Sequence, residues 1–166
     1  MHIPSSTYRI QLNKDFRLEQ LQNIIDYLHQ LGVSTVYASP VTTASPGSMH
    51  GYDVTDPHTI NPEIGTLSTL KTIGDRLAAK NMNWLQDIVP NHMAFAPENF
   101  RLMDVLDRNA HSEYYRYFDI NLLHPDPDLS GKLMVPFLGS DLETAIENRD
   151  IKLTFSEEGF CIRVYD

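Results

Sequence analysis

The sequence predicts an α/β fold built on a parallel sheet. Three observations predict it. Strand-like and helix-like segments alternate through the first ninety residues, the helical segments are long enough to cross from one strand to the next, and polar residues gather where strands end. Parallel neighbours need crossovers of that length, and such connections are almost always right-handed. Two closed arrangements accommodate a β-α-β-α-β run, the doubly wound sheet and the eight-fold barrel, and in both the ligand-binding groups lie just past the C-terminal ends of strands.

Thr7–Leu12 (TYRIQL) is rich in β-formers and reads as the first strand. Leu18, Leu21, Ile25, Leu28 and Leu31 then recur at helical spacing, with Ile24 beside them. Gly32 follows where a helix C-terminal glycine belongs. Val33–Ala38 (VSTVYA) is the second strand, and Ser39-Pro40 opens a long loop. Leu67, Leu70, Ile73 and Leu77 mark a second helix, with Thr66 placed to cap it. Met82–Val89 (MNWLQDIV) reads as the third strand, ending at Pro90-Asn91-His92. Beyond His92 the pattern changes. Pro97–Leu106 reads as a helix, residues 121–140 as loop, and Ile151–Phe155 with Phe160–Val164 as a hairpin around Ser156-Glu157-Glu158-Gly159. Three parallel strands and two helices leave both sheet edges open, and the chain stops just after a strand, so it reads as the front part of a longer protein.

Composition narrows the function. The chain has 166 residues, net charge −9 and 42% hydrophobic residues, enough for a real core. The acidic balance disfavours a phosphate-backbone binder, so no nucleic-acid partner is expected. No apolar run approaches the ~20 residues of a membrane helix, and Met1–Thr7 lacks the apolar centre of a signal peptide. A lone cysteine, Cys161, excludes an internal disulfide framework, which makes the cytoplasm the expected location.

Two segments carry chemistry. The loop Ser45–Pro57 places His50, Tyr52, Asp53 and Asp56 close together after the second strand. A ring beside donors and acceptors suits a sugar, whose apolar face stacks while its hydroxyls hydrogen-bond; the same residues also suit a turn-rich loop that satisfies its own backbone. The second is Asp87-Ile88-Val89-Pro90-Asn91-His92. Asp87 reads as a carboxylate inside an apolar strand, where an ionised group needs a partner. It fits a functional strand end, and equally a buried Asp capping a loop beside a structural His. No paired cysteines and no His pair at helical i, i+4 spacing support a metal site, and no cofactor is expected.

Asp87–His92 resembles the D-x-x-x-N-H block of the α-amylase superfamily, and His50-Gly51-Tyr52-Asp53 resembles its Gly-Tyr-Asp loop. The blocks Thr7–Leu12, Leu31–Ser34, Tyr37–Pro40, Gly47–Val54, Asn61–Gly65, Tyr117–Ile120 and Val135–Gly139, in that order, resemble the maltooligosyl trehalose synthase family over essentially the whole chain. The resemblance implies the first three β/α units of a TIM (β/α)8 barrel in residues 1–92. It implies the start of a domain inserted after strand three in residues 93–166. It also implies a retaining intramolecular transglucosylase that turns the reducing-end α-1,4 linkage of a maltooligosaccharide into an α,α-1,1 linkage.

By the same resemblance Tyr52 stacks on the glucose ring next to the scissile bond and His92 hydrogen-bonds that ring. Asp87 supports a neighbouring arginine of the fourth strand, and Asn91 holds the strand-three loop. His50 and Asp53 contact sugar or orient Tyr52, with Gln11 a weaker candidate. The family's nucleophilic Asp, acid/base Glu and stabilising Asp belong to strands four, five and seven and match no position here. The resemblance therefore implies a piece that binds an α-1,4-glucan and is inactive alone. Met49 and Asn121 depart from the family pattern. A free-standing glucan-binding module and a fragment of another α-amylase superfamily glycosidase are the alternatives. Trp84 is expected in the core, and Tyr114, Tyr115, Tyr117 and Phe118 are expected to pack the inserted region.

Overall fold

The computed structural model describes residues 3–133, 138–157 and 159–165. Residues 135–137 of the Val135–Gly139 block, Glu158 of the hairpin turn and His2 lie outside them. The chain divides into two compact units, Met1–Tyr117 and Phe118–Asp166.

The first unit holds a three-stranded parallel sheet. Strands β1 (Thr7–Ile10), β2 (Thr35–Ala38) and β5 (Asn83–Gln86) lie in the order β1-β2-β5. Two helices make the crossovers, α1 (Leu18–Gln30) and α2 (Leu67–Ala78), and they pack against each other. At the start of α1 the Gln20 side chain accepts the Arg17 backbone N–H at 3.1 Å. Gly32 takes φ +84° just past its end, a left-handed turn that glycine adopts without strain. Thr66 caps α2, its hydroxyl accepting the Thr69 N–H at 3.1 Å.

The periodicity of the two helices becomes the core. Leu18, Leu21, Ile25 and Leu28 of α1 and Ile73 and Leu77 of α2 are buried against Ile10, Val36 and Ala38 of the sheet. Each buried aliphatic side chain contributes about 1.5–3 kcal/mol. Trp84 is partly buried against this cluster, as expected of a core residue. Because side chains alternate along a strand, the sheet has a second face. There Arg9, Tyr37 and Leu85 stand side by side in register.

Three details differ from the sequence reading. The loop after Pro40 contains a hairpin, β3 (Thr42–Ala44) paired antiparallel with β4 (Val54–Ile60), with register shifts on both sides of Thr43. The third parallel strand stops at Gln86, whose partner Ala38 ends β2. Asp87 therefore lies just beyond the strand rather than inside it, although its N–H still donates to the Ala38 carbonyl at 3.0 Å. The next helix is α3 (Phe100–Arg108), capped by Asn99, whose side chain accepts the Leu102 N–H at 3.2 Å. Arg101 ties α3 to the hairpin by donating from Nη1 to Asp56 Oδ1 at 2.9 Å. Tyr114 meets Phe100 and Tyr117 edge-on, with centroids 5.7 and 5.6 Å apart.

The second unit contains a short helix α4 (Leu142–Glu147), capped by Asp141, and the expected hairpin, β6 (Ile151–Ser156) with β7 (Gly159–Val164). Its strands run on to a Ser156–Gly159 pair, so the turn is shorter than the four residues read from sequence. Cys161 is exposed and stands opposite Thr154.

Candidate functional site

The C-terminal ends of the three parallel strands bring one cluster together. Its centre is a single oxygen, Asp87 Oδ2. It accepts from Tyr52 Oη at 2.5 Å, from Tyr37 Oη at 3.1 Å and from Arg9 Nη1 at 3.3 Å. Arg9 Nη2 donates to the Tyr52 hydroxyl at 3.0 Å and to Gln11 Oε1 at 3.2 Å, and the guanidinium lies 4.8 Å from the centre of the Tyr37 ring. Gln11 in turn donates to the carbonyls of Met49 and His50, at 3.3 and 3.2 Å, and so anchors the loop that carries Tyr52.

The loop has its own order. His50 Nδ1 accepts the Tyr52 N–H at 3.0 Å, and the two rings stack 6.0 Å apart at 25°. As an acceptor Nδ1 carries no proton, so Asp53 Oδ1, 3.6 Å away, is a polar neighbour rather than an ion-pair partner. Asp53 instead accepts from the Ser48 hydroxyl, which itself accepts the Gly51 N–H at 3.1 Å. Gly51 has φ +77°, and a Cβ there would stand 3.0 Å from the Pro40 carbonyl oxygen. Glycine at this place lets the loop fold back over the end of β2.

Of the residues singled out in the sequence, Tyr52, Asp87, His50, Asp53 and Gln11 form this connected set. Asn91 and His92 are exposed and pair with each other, Nδ1 to Oδ1 at 3.1 Å. Arg9 and Tyr37 were missed as site residues. The signal was available: Arg9 is a charge in the middle of a β-rich strand, two positions before Gln11 and on the same face. The arginine that reaches Asp87 among the described residues comes from the first strand. A cleft of about 330 Å³, lined by Pro46, Asp56, Glu63, Glu98 and Phe100 among others, includes none of these residues. Among the described residues no group of three His, Cys, Asp or Glu is placed to hold a metal ion, and no helix is long and apolar enough to cross a membrane.

The cluster also shifts two titrations. The Tyr52 hydroxyl, and after it Arg9 and Tyr37, hold the Asp87 carboxyl below the usual carboxylate range against the effect of burial. Asp87 pushes the Tyr52 phenol up, with Arg9 opposing. A lowered carboxylate stabilises the fold above its ordinary value, and that contribution is lost as pH falls through the lowered value; a raised phenol stabilises below its ordinary value, and loses that on rising through the raised one. Unfolding of the wild-type chain followed by Trp84 fluorescence should therefore lose stability on acidification below the ordinary Asp range. Asp87→Asn should flatten that acid limb. An unchanged limb would mean Asp87 gains nothing from its three donors.

A family model for the α-amylase catalytic domain matches residues 17–141. The chain belongs to the α-amylase family. This α-amylase-family chain is 40% identical, over 147 residues and 84% of its length, to a Mycobacterium tuberculosis protein assigned by name as a maltooligosyl trehalose synthase. It is 30% identical over 154 residues, 90% of its length, to a maltogenic α-amylase of Bacillus acidopullulyticus. Among solved structures, the maltooligosyltrehalose synthase of Arthrobacter ramosus superposes at TM-score 0.78 with 32% identity over 97% of this chain. A Sulfolobus tokodaii structure described as a hypothetical maltooligosyl trehalose synthase superposes at 0.74 with 39% identity over 99%. The chain spans about a fifth of the length of these synthase relatives, 19% and 21%, and a quarter of the α-amylase, 25%.

Proposed function

We infer that residues 1–92 supply the first three β/α units of a (β/α)8 barrel and that residues 93–166 begin a domain inserted after the third strand. The parent activity is that of a maltooligosyl trehalose synthase: a cytoplasmic, retaining intramolecular transglucosylation that converts the reducing-end α-1,4 linkage of a maltooligosaccharide into an α,α-1,1 linkage. The observation that carries this reading is the 40% identity over 147 residues to a relative bearing that name, with neighbours of the same name covering nearly the whole chain.

The site supports it chemically. Tyr52 offers a ring held at its hydroxyl by Asp87 and Arg9 and stacked with His50, and the face turned from His50 is the one that would meet the apolar side of a glucose unit. His92 and Asn91 are exposed polar groups at the end of the third strand, suited to sugar hydroxyls. His50 and Asp53 order the Tyr52 loop. Asp87 is the hub of the hydrogen bonds. The family's nucleophile and acid/base have no counterpart among these residues, so the 166-residue chain binds α-1,4-glucan and does not transfer it.

Two measurements test this. Calorimetric titration with maltotriose should show binding that Tyr52→Ala weakens roughly fivefold or more, given at least about 1 kcal/mol for a stacked ring together with the apolar area it buries. Incubation of the chain with maltohexaose should give no α,α-1,1 anomeric signal by NMR. Binding indifferent to Tyr52 would remove the platform, and a trehalosyl product from this chain alone would overturn the inactive-piece reading. The maltogenic α-amylase match favours a second reading, a piece of a hydrolytic relative, which differs from the first in the parent's acceptor.

A further inference from the structure

A tyrosine on a loop is a poor platform unless something fixes its ring, because each free rotor adds an ordering cost to binding. Tyr52 has one polar handle, its hydroxyl, and both of that group's roles are taken. It donates to Asp87 Oδ2 at 2.5 Å and accepts from Arg9 Nη2 at 3.0 Å. Arg9 is itself held from several sides: by Asp87 through Nη1 at 3.3 Å, by Gln11 Oε1 at 3.2 Å and by the Tyr37 ring beneath it. Gln11, on the same face of the same strand, grips the Tyr52 loop by its backbone at Met49 and His50. The first strand thus holds both the main chain of the loop and the far end of its aromatic ring.

We propose that Arg9 is a positioning residue: its guanidinium, shared between the Tyr52 hydroxyl and Asp87, sets the tilt of the Tyr52 ring against an α-glucan. The proposal rests on the reading of Tyr52 as a sugar platform given above. Arg9 touches no sugar in this role and acts through Tyr52. Arginine is required because one rigid fork must serve Tyr52, Asp87 and Gln11 together, whereas an ammonium is a compact point charge on a flexible stem. The ring is ordered before the ligand arrives, so less ordering is left to the binding step.

The test uses the 166-residue chain with ring-labelled tyrosine, the Tyr52 signal being the one lost in Tyr52→Phe. In Arg9→Met the Tyr52 ring should lose order by 13C relaxation. Its phenol should titrate higher than in wild type, since Arg9 is the group that lowers it; Asp87→Asn should move it the opposite way. Maltotriose affinity should fall roughly tenfold, and Arg9→Lys should recover it only in part. General loosening of the fold would disturb Trp84 fluorescence and every tyrosine together, which separates it from a change confined to Tyr52. If Arg9→Met does not fold, the same two ring readouts are taken on Arg9→Lys. Unchanged ring order and titration in the folded variant overturn the proposal, even where maltotriose shifts the Tyr52 signal. A ring freed by the substitution in a chain that never binds maltotriose supports the positioning and removes only the sugar reading.

Discussion

Leu28→Ala is expected to destabilise the unit Met1–Tyr117 by about 3–4 kcal/mol, near the middle of the range for a fully buried leucine. Leu28 has no exposed surface and sits in a continuous cluster formed by the inner faces of α1 and α2 and by Ile10, Val36 and Ala38. Two terms add. The removed carbons lose their transfer free energy, and the space they leave closes only partly because helix and sheet hold its walls. Trp84 is the chain's single tryptophan and lies against the same cluster, so its fluorescence reports this unit during denaturant unfolding. The midpoint should fall at unchanged slope. Tyr27→Ala is the control: one residue earlier on α1 but 60% exposed, it should change stability by no more than about 0.5 kcal/mol. Equal effects from the two substitutions would mean that α1 does not face the sheet as described.

Gly65→Ala is the second large effect, expected at about 2–4 kcal/mol, combining a backbone and a steric cost. Gly65 has φ +146°, a conformation L residues rarely adopt, and a Cβ there would stand 2.9 Å from Leu18 Cδ1 and 3.1 Å from Leu18 Cβ. Leu18 cannot retreat. It is the first residue of α1, fully buried, and its N–H donates to the Ile64 carbonyl at 2.8 Å. Combining Gly65→Ala with Leu18→Ala should cost less than the sum of the two, since alanine at position 18 removes the Cδ1 and Cγ contacts while leaving the Cβ contact at 3.1 Å and the backbone strain. Simple additivity in the same fluorescence assay would show that the contact is not the cause.

The parallel sheet and its two helices were legible because their signals are strong: apolar residues at helical spacing, a capping Thr66, a terminal Gly32, and short β-rich runs between them. The β3–β4 hairpin was not. Val54–Ile60 contains Pro57, Asp56 and His58 and shows no alternation, and register shifts on both sides of Thr43 break the two-residue period on the partner strand. It is also anchored from outside, by Arg101 on Asp56, a contact that no local pattern encodes. Tyr52 and Asp87 were singled out by residue type and position. That they share a proton-donating contact, and that Arg9 and Tyr37 complete it, follows from strand register, which places Arg9 opposite Tyr37 and Ala38 opposite Gln86. Residue type alone carries no register. The end of the third strand was overrun for a related reason: Ile88 and Val89 look like strand interior, yet Ile88 is 67% exposed once β2 has no residue left to pair with it.

The excursion from β2 to β5, residues 39–82, bears on how readily the sheet can assemble. Joining β5 to β2 means closing a longer stretch of chain than joining β2 to β1, across residues 11–34, and for featureless coil the difference would be about 0.5 kcal/mol of closure entropy. The excursion is not featureless. The β3–β4 hairpin folds part of it back on itself through nearby contacts, and α2 contracts another part to about 1.5 Å per residue. Once these local pieces exist, the gap left to close is shorter than the residue count suggests. The decorated crossover that carries Tyr52 therefore delays the third strand little more than a plain one would.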